Sequence, residues 1–432
     1  MAIWDQTDRM GMPPKHMIYG SEYRKEQIDY ALRQDNPLDY VPVTDEIGHG
    51  TRLASIAAGN EDISQDFVGA APYADIAVVK LKPAKQYLRD FYYIPDDAVA
   101  YQENDILTAM QYLNELAQER NQPIVFCIGI GTSQGDHGGG SRISNVLDDL
   151  AAMYRHAVCI AVGNEANARH HYYGSVKEGE SDRVEINVTA AMRGFVMELW
   201  GRAPELFFVS VISPTGEVLP RVPVWIGQQQ KHLFLLENTR LTIDYQMAGV
   251  RNRNQLVYFE FENPAQGIWI IEVFPFRVMD GNFNIFLPMT EFLERPVFFV
   301  RSSPDATLTA PSSAELPMAV GGYDAVTGGI YVESGRGYSL RGAIKPDYVA
   351  PAVLVAAQNN RGNYDTITGT SAACAVAAGG CALLMEWNTA YIGNQSVNSL
   401  DIKNQIVNGT ERIQNQLYPN REEGADDIIV SS

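Results

Sequence analysis

The chain is expected to fold as an α/β domain with a buried parallel sheet, interrupted by an all-β sandwich. Three observations predict this. Over residues 1 to about 180, short apolar, β-branched runs alternate with helix-periodic stretches, the pattern of a sheet covered by helices. From about 184 to 287 the period changes to strict alternation with recurring turn signals, as in sandwiches of short strands. Helical texture returns only after Thr370, so the α/β part resumes there. The expected units are 1–183, 184–300 and 301–432.

The elements follow in order. Ala74 to Leu81 (ADIAVVKL) is a short apolar run suited to a strand buried on both faces. Ile106, Leu107, Met110, Leu113 and Leu116 recur at helical spacing. Ile124 to Ile130 and Ala157 to Val162 read as two more buried strands, separated by a helix over Ser144 to Tyr154. Gln86 to Asn104, rich in aromatic and acidic residues, reads as a surface loop. In the β-rich part, Leu241, Ile243 and Tyr245 share one strand face, as do Phe283, Ile285 and Leu287. Ser213-Pro214-Thr215-Gly216, Asn263-Pro264 and Asp280-Gly281-Asn282 supply the turns between strands.

Composition narrows the function. At 432 residues, 46% hydrophobic and 20% charged, the chain can bury a sizeable core and form two or three units. The net charge of −19, without any Lys/Arg block, argues against nucleic acid and suits a solubilising acidic surface. Cys127, Cys159, Cys374 and Cys381 each lie in an apolar or small-residue run, as buried free thiols do. They have neither metal-ligand spacing nor the density of a disulfide framework, which favours a reducing or disulfide-indifferent compartment. No signal pattern opens the chain and no apolar run is expected to reach membrane-spanning length. No metal or other cofactor is expected; His137, His170 and His171 read as solvated loop residues, because neighbouring side chains rarely chelate one ion together.

Three segments carry chemistry. In Gly369 to Gly380 (GTSAACAVAAGG), Ser371 opens a helix of very small side chains. Such a serine either caps a buried helix or presents its hydroxyl to a cleft at the positive end of the dipole. In Gly48 to Gly59 (GHGTRLASIAAG), His49 begins a second small-residue helix, where a lone histidine is usually structural. In Ala161 to Asn164 (AVGN), Asn164 follows a buried strand, either as a turn residue or with its amide in the cleft beyond the strand's carboxyl end.

Together these motifs, with KPDYVAP (Lys345 to Pro351) ahead of the serine, resemble the subtilisin family in content and order. The resemblance implies a subtilisin-like parallel sheet with helices on both faces and a serine endopeptidase acting through an acyl-enzyme. Ser371 would be the nucleophile and His49 the general base. Asn164 would stabilise the oxyanion with the Ser371 backbone N–H. Gly129, Ile130 and Gly131 would form one wall of the peptide cleft, and Ala161, Val162 and Gly163 would line the specificity pocket. Its partner would be a protein or peptide substrate, with no nucleic acid and no membrane span.

IWDQT, GRGYSLRGAIKPD and YPNRE resemble in particular the clostridial Csp subtilases. That implies a bacterial, soluble, spore-associated protein with an inserted jelly roll, processing the zymogen of a spore cortex hydrolase during germination. Two departures are small: Ala375 stands where the family has proline, and APAV (Ala350 to Val353) lacks a usual glycine.

One departure is large. Subtilases run Asp, His, Ser along the chain, with the aspartate ending the first, central strand. None of Asp5, Asp8, Asp29, Asp35, Asp39 and Asp45 ends an apolar strand and leads into a glycine turn. Either a preceding segment or prodomain is missing, or the chain is a pseudoprotease serving as a binding scaffold. Retention of His49, Asn164 and Ser371 favours truncation, because a scaffold has no chemical need of all three. A missing central strand would also leave two sets of backbone groups unpaired.

Overall fold

The computed structural model describes residues 1–224, 226–248, 254–410, 417–424 and 426–427. Its α/β part begins with β1 (Ala2–Asp5), β2 (Ser21–Arg24), α1 (Lys25–Ala31), α2 (His49–Ala58), β3 (Ala77–Lys80), α3 (Gln86–Phe91) and α4 (Glu103–Arg120). Next come β4 (Ile124–Ile128), α5 (Arg142–Ala152) and β5 (His156–Ala161). Eleven strands follow: β6 (His171–Ser175), β7 (Asp182–Val188), β8 (Gly194–Gly201), β9 (Leu206–Ile212), β10 (Val218–Val222), β11 (Gln229–Phe234), β12 (Thr239–Ala248), β13 (Asn254–Glu262), β14 (Gly267–Arg277), β15 (Asn282–Phe286) and β16 (Val297–Phe299). The α/β part resumes with β17 (Met318–Tyr323), β18 (Tyr348–Pro351), β19 (Val355–Gln358), β20 (Tyr364–Ile367), α6 (Thr370–Glu386), α7 (Ser399–Gly409) and β21 (Asp426–Asp427).

The main sheet has the order β21-β18-β17-β5-β4, and every pair in it is parallel. β5 is buried along its whole length, as a strand covered by helices on both faces must be. A separate three-stranded sheet, β2-β1-β3, pairs β1 with β3 in parallel. The small residues of α6 serve close packing: a Cβ on Gly379 would meet Ala70 Cβ at 2.5 Å and the Ala57 carbonyl at 2.7 Å, so α6 lies directly on α2 and the turn after it.

The β-rich stretch forms two antiparallel sheets, β10-β9-β14-β7-β16 and β11-β12-β13-β8-β15-β6. They share one core that includes Phe195, Phe234, Phe261 and Trp269, together with Leu241, Ile243 and Tyr245. The chain enters and leaves this layer pair side by side, with Phe299 N–H donating to the Arg169 carbonyl at 3.1 Å and Ser303 N–H to that of His171 at 2.8 Å.

Several expectations need correction. The span 86–104 is not all loop: α3 occupies Gln86–Phe91, and Arg89 is buried with its guanidinium on the carbonyls of Pro95 and Ala98. The antiparallel sheets also begin before 184, since β6 pairs with β15. The histidines are not solvated. His137, His170 and His171 are all buried; His171 stacks on Phe286 and bonds Asn284 Oδ1 at 2.9 Å. Burial pushes the His171 pKa down to about 4. The helical stretch Thr370–Ile392 is long and apolar enough to cross a membrane, contrary to expectation. More than half of that apolar window is buried inside the protein, and α6 is packed against the sheet and α2, which accounts for its composition.

Candidate active site

Ser371 is held at the start of α6 by three neighbours. Its Oγ donates to the Gly129 carbonyl oxygen at 3.0 Å. The preceding Thr370 N–H donates to Asn164 Oδ1 at 3.0 Å, and Thr370 Oγ1 accepts the Gly163 N–H at 3.1 Å. The serine helix is thereby tied to the carboxyl ends of β4 and β5. With its Oδ1 engaged, Asn164 has its two amide protons left to offer, which is the arrangement an oxyanion donor needs.

His49 is the first residue of α2 and lines the same cavity as Ser371, Gly163 and Asn164. No side chain caps this helix from its N-cap position. Asp45 does so instead: Oδ1 accepts the N–H groups of Ile47 and Gly48 at 3.2 and 2.7 Å. Its Oδ2 accepts the Thr51 N–H at 3.0 Å and hydroxyl at 2.7 Å. Burial alone would raise the Asp45 pKa, but these four hydrogen bonds bring it below the usual carboxylate value. The His49 imidazole makes no hydrogen bond among the described residues. Burial lowers its pKa, the Asp45 charge opposes that, and Arg52 reinforces it. Arg52 is itself clamped by Asp365, Nη2 to Oδ2 at 2.6 Å.

The cleft glycines are dictated by contact. A Cβ on Gly129 would meet Leu53 Cδ1, one turn after His49, at 2.5 Å and Ser371 Cβ at 3.3 Å. A Cβ on Gly131 would meet Thr309 Oγ1 at 2.5 Å, and Gly163, at φ 87°, also abuts Thr309. Gly129, Ile130, Gly131, Ala161 and Gly163 line the cavity. Val162 does not: its side chain is fully buried with Leu308 and Ala319, because alternation at the strand end turns it into the core.

Asp5 is not among the residues that line the cavity with His49 and Ser371. It ends β1, is buried, and its Oδ1 accepts from Thr7 N–H and Oγ1 at 2.7 and 2.6 Å, while Lys80 lies 3.6 Å from Oδ2. Among the described residues no group of three His, Cys, Asp or Glu side chains could hold a metal ion.

Three contributors went unrecognised in the sequence. Thr370 and Thr309 act through position alone and leave no sequence signal. Glu198 did leave one, as the single charged residue of the fully buried strand β8. Its Oε2 accepts the Gly135 N–H at 2.8 Å and the Trp200 indole N–H at 3.0 Å, so the β-rich layer holds the loop that continues from the cleft wall. Burial raises its pKa against those two bonds.

The profile of the subtilase family, peptidase S8, matches residues 11–192 and 281–425, the two stretches flanking the centre of the β-rich layers. A solved structure described as the Clostridium perfringens CspB protease matches with a TM-score of 0.86 and 25% identity, over 99% of this chain and 85% of that one. A psychrophilic protease, S41, and sphericase match at 16% and 14% identity with TM-scores of 0.44 and 0.46, each over 90% of this chain and 79% of theirs. No curated protein sequence matches the chain. With the family profile covering most of its length and its fold superposing on a subtilase, the chain belongs to the subtilase family and is a subtilisin-like serine protease.

Proposed function

We propose that the protein is an endopeptidase in which Ser371 attacks the scissile carbonyl and His49 takes the Oγ proton, later delivering it to the leaving amine. The Ser371 N–H and the Asn164 amide protons would hold the oxyanion, and water would then hydrolyse the acyl-enzyme. The observation that carries this reading is the Thr370–Asn164 bond, which aims an asparagine amide at the cleft beside a helix-start serine. The substrate wall is Gly129 to Gly131, and the Csp resemblance points to the zymogen of a spore cortex hydrolase as substrate. The triad carboxylate is assigned to a segment outside the 432 residues.

A second reading, a pseudoprotease scaffold, has one observation in its favour: Ser371 bonds Gly129 rather than His49, whose imidazole is unbonded among the described residues. Incubation of the chain, extended upstream by its native coding sequence, with a cortex-hydrolase zymogen separates the two. Cleavage that is lost in Ser371→Ala supports the peptidase. A folded extended protein that never cleaves, and whose Ser371→Ala variant keeps the cellular role, supports the scaffold.

A further inference from the structure

The cavity that holds His49, Asn164 and Ser371 continues past the cleft wall, and part of its lining comes from the β-rich layers. Phe195, Met197 and Leu199 of β8 fill the core that those layers share. Alternation turns Val196, Glu198 and Trp200 to the opposite face, where Val196 and Glu198 line the cavity. Thr132, Gln134 and Gly135, which continue the chain from Gly131, line it too, as do Tyr92 and Gln102.

Glu198 is 6% exposed, and both its hydrogen bonds use one oxygen. Oε2 accepts the Gly135 N–H and the Trp200 indole N–H, while Oε1 accepts nothing among the described residues. No Lys or Arg among the described residues pairs with this carboxyl, and burial raises its pKa. A glutamine could hold the loop and the indole equally well through its single carbonyl oxygen, without the cost of a buried charge. The charge and the second oxygen of Glu198 therefore exceed what the scaffold needs.

The groups beside it are also short of partners. Gln134 Oε1 and Nε2 and Gln102 Oε1 are enclosed and make no hydrogen bond. Burial, and then the charges of Glu198 and Glu103, push the Tyr92 hydroxyl pKa up, so both carboxylates lie within electrostatic reach of that ring. Unpaired acceptors on Glu198, Gln134 and Gln102 thus stand against one unpaired donor, Gln134 Nε2. The group that balances such a set is a cation with several N–H donors and no acceptor, the ammonium of Lys or the guanidinium of Arg. The terminal torsion of a glutamine is soft enough for either amide to turn towards it.

We propose that Glu198 is a specificity-determining residue, forming with Gln134 and Gln102 a subsite for a Lys or Arg side chain of the peptide substrate. Gly135 lies six residues beyond Gly129, whose carbonyl holds the Ser371 hydroxyl. At about 3.3 Å per extended residue, the basic side chain falls within about six residues of the scissile bond. The β-rich layers thereby choose the substrate as well as brace the cleft loop. That the ligand is a peptide rests on the peptidase reading; the preference for a cation does not.

The test uses the 432-residue protein carrying Ser371→Ala, so that no peptide is cut, and fluorescein-labelled dodecapeptides of Ala and Ser. Each peptide has one central Lys, Arg, norleucine or Gln, and binding is read by anisotropy. The Lys and Arg peptides should bind at least about tenfold tighter than the norleucine and Gln peptides, as a charge-assisted bond to a buried carboxylate implies. Adding Glu198→Gln, which keeps an acceptor for Gly135 and Trp200, should erase that advantage and leave norleucine binding unchanged. Gln102→Ala, which touches neither of those bonds, should reduce the advantage about threefold. Equal affinity for all four peptides, no binding of any, or a cation advantage that survives both variants overturns the subsite. Fluorophosphonate labelling of the protein with Ser371 intact separates the two readings. Cation-selective binding without labelling keeps the subsite and counts against the peptidase, whereas labelling without cation selectivity does the reverse.

Discussion

Ser371 Oγ donates to the carbonyl oxygen of Gly129 at 3.0 Å, and a Cβ on Gly129 would sit 3.3 Å from Ser371 Cβ and 2.5 Å from Leu53 Cδ1. Ser371 and the helix that begins at His49 therefore meet at one glycine. Gly129→Ala should overpack this junction and cost about 1–3 kcal/mol. The check is a lower urea midpoint with an unchanged m-value.

Asn164 combines an observed contact with a proposed role: its Oδ1 accepts the Thr370 N–H at the start of α6, it lines the cavity, and its amide is the proposed oxyanion donor. Asn164→Ala should lose about 1 kcal/mol as a helix-start acceptor and about 10²–10³ in kcat in the upstream-extended protein. Asn164→Asp should recover the stability and not the rate. Equal kcat for Asp and Asn would remove the amide from the mechanism.

The thiols should divide one against three. Cys127 is exposed, whereas Cys159, Cys374 and Cys381 are buried. Burial and then the Cys127 contact push the Cys374 thiol up, and the Cys381 contact and then burial push up Cys159. Native protein should take up about one equivalent of maleimide, at Cys127, with the others reacting only after denaturation. Peptide mapping checks the site.

His171 should make the protein acid-sensitive. Its folded pKa, about 4, lies below the ordinary 6.5, so the unfolded chain binds an extra proton between those values. The stabilisation is fully present above about pH 6.5 and is lost as pH falls towards 4, amounting to about 3 kcal/mol. His171→Gln, which keeps a hydrogen-bond partner for Asn284 but does not titrate, should flatten the fall in Tm across that window. An equally steep fall in the variant would assign the acid sensitivity elsewhere.

How much of this was legible depends on the physical signal each part leaves. The small-residue runs at 48–59 and 369–380 announced two helices packed closer than ordinary side chains allow, and Gly379 against Ala70 shows why. Alternation at Leu241, Ile243 and Tyr245 marked the β-rich layers, because one face of β12 is buried in their shared core. His170 and His171 misled because polarity suggested solvent, whereas Glu165 and Asn284, distant or unremarked in sequence, pair with them in the interior. Cys127 misled in the opposite direction: its run is apolar enough for a buried strand, but among the described residues β4 pairs with β5 alone and Cys127 stays exposed. The capping role of Asp45 was also unread, since its hydrogen bonds to Gly48 and Thr51 depend on a turn with Gly48 at φ 80°.

The central claim is that His49, Asn164 and Ser371 form a working peptidase centre. Its most direct test is fluorophosphonate labelling of the upstream-extended protein, with the adduct mapped by mass spectrometry. The expected result is a single adduct on Ser371, absent in Ser371→Ala and reduced by several orders of magnitude in rate in His49→Ala, since loss of either residue from such a triad costs about 10⁶. An adduct on another serine, or equal labelling with and without the His49 imidazole, would contradict it.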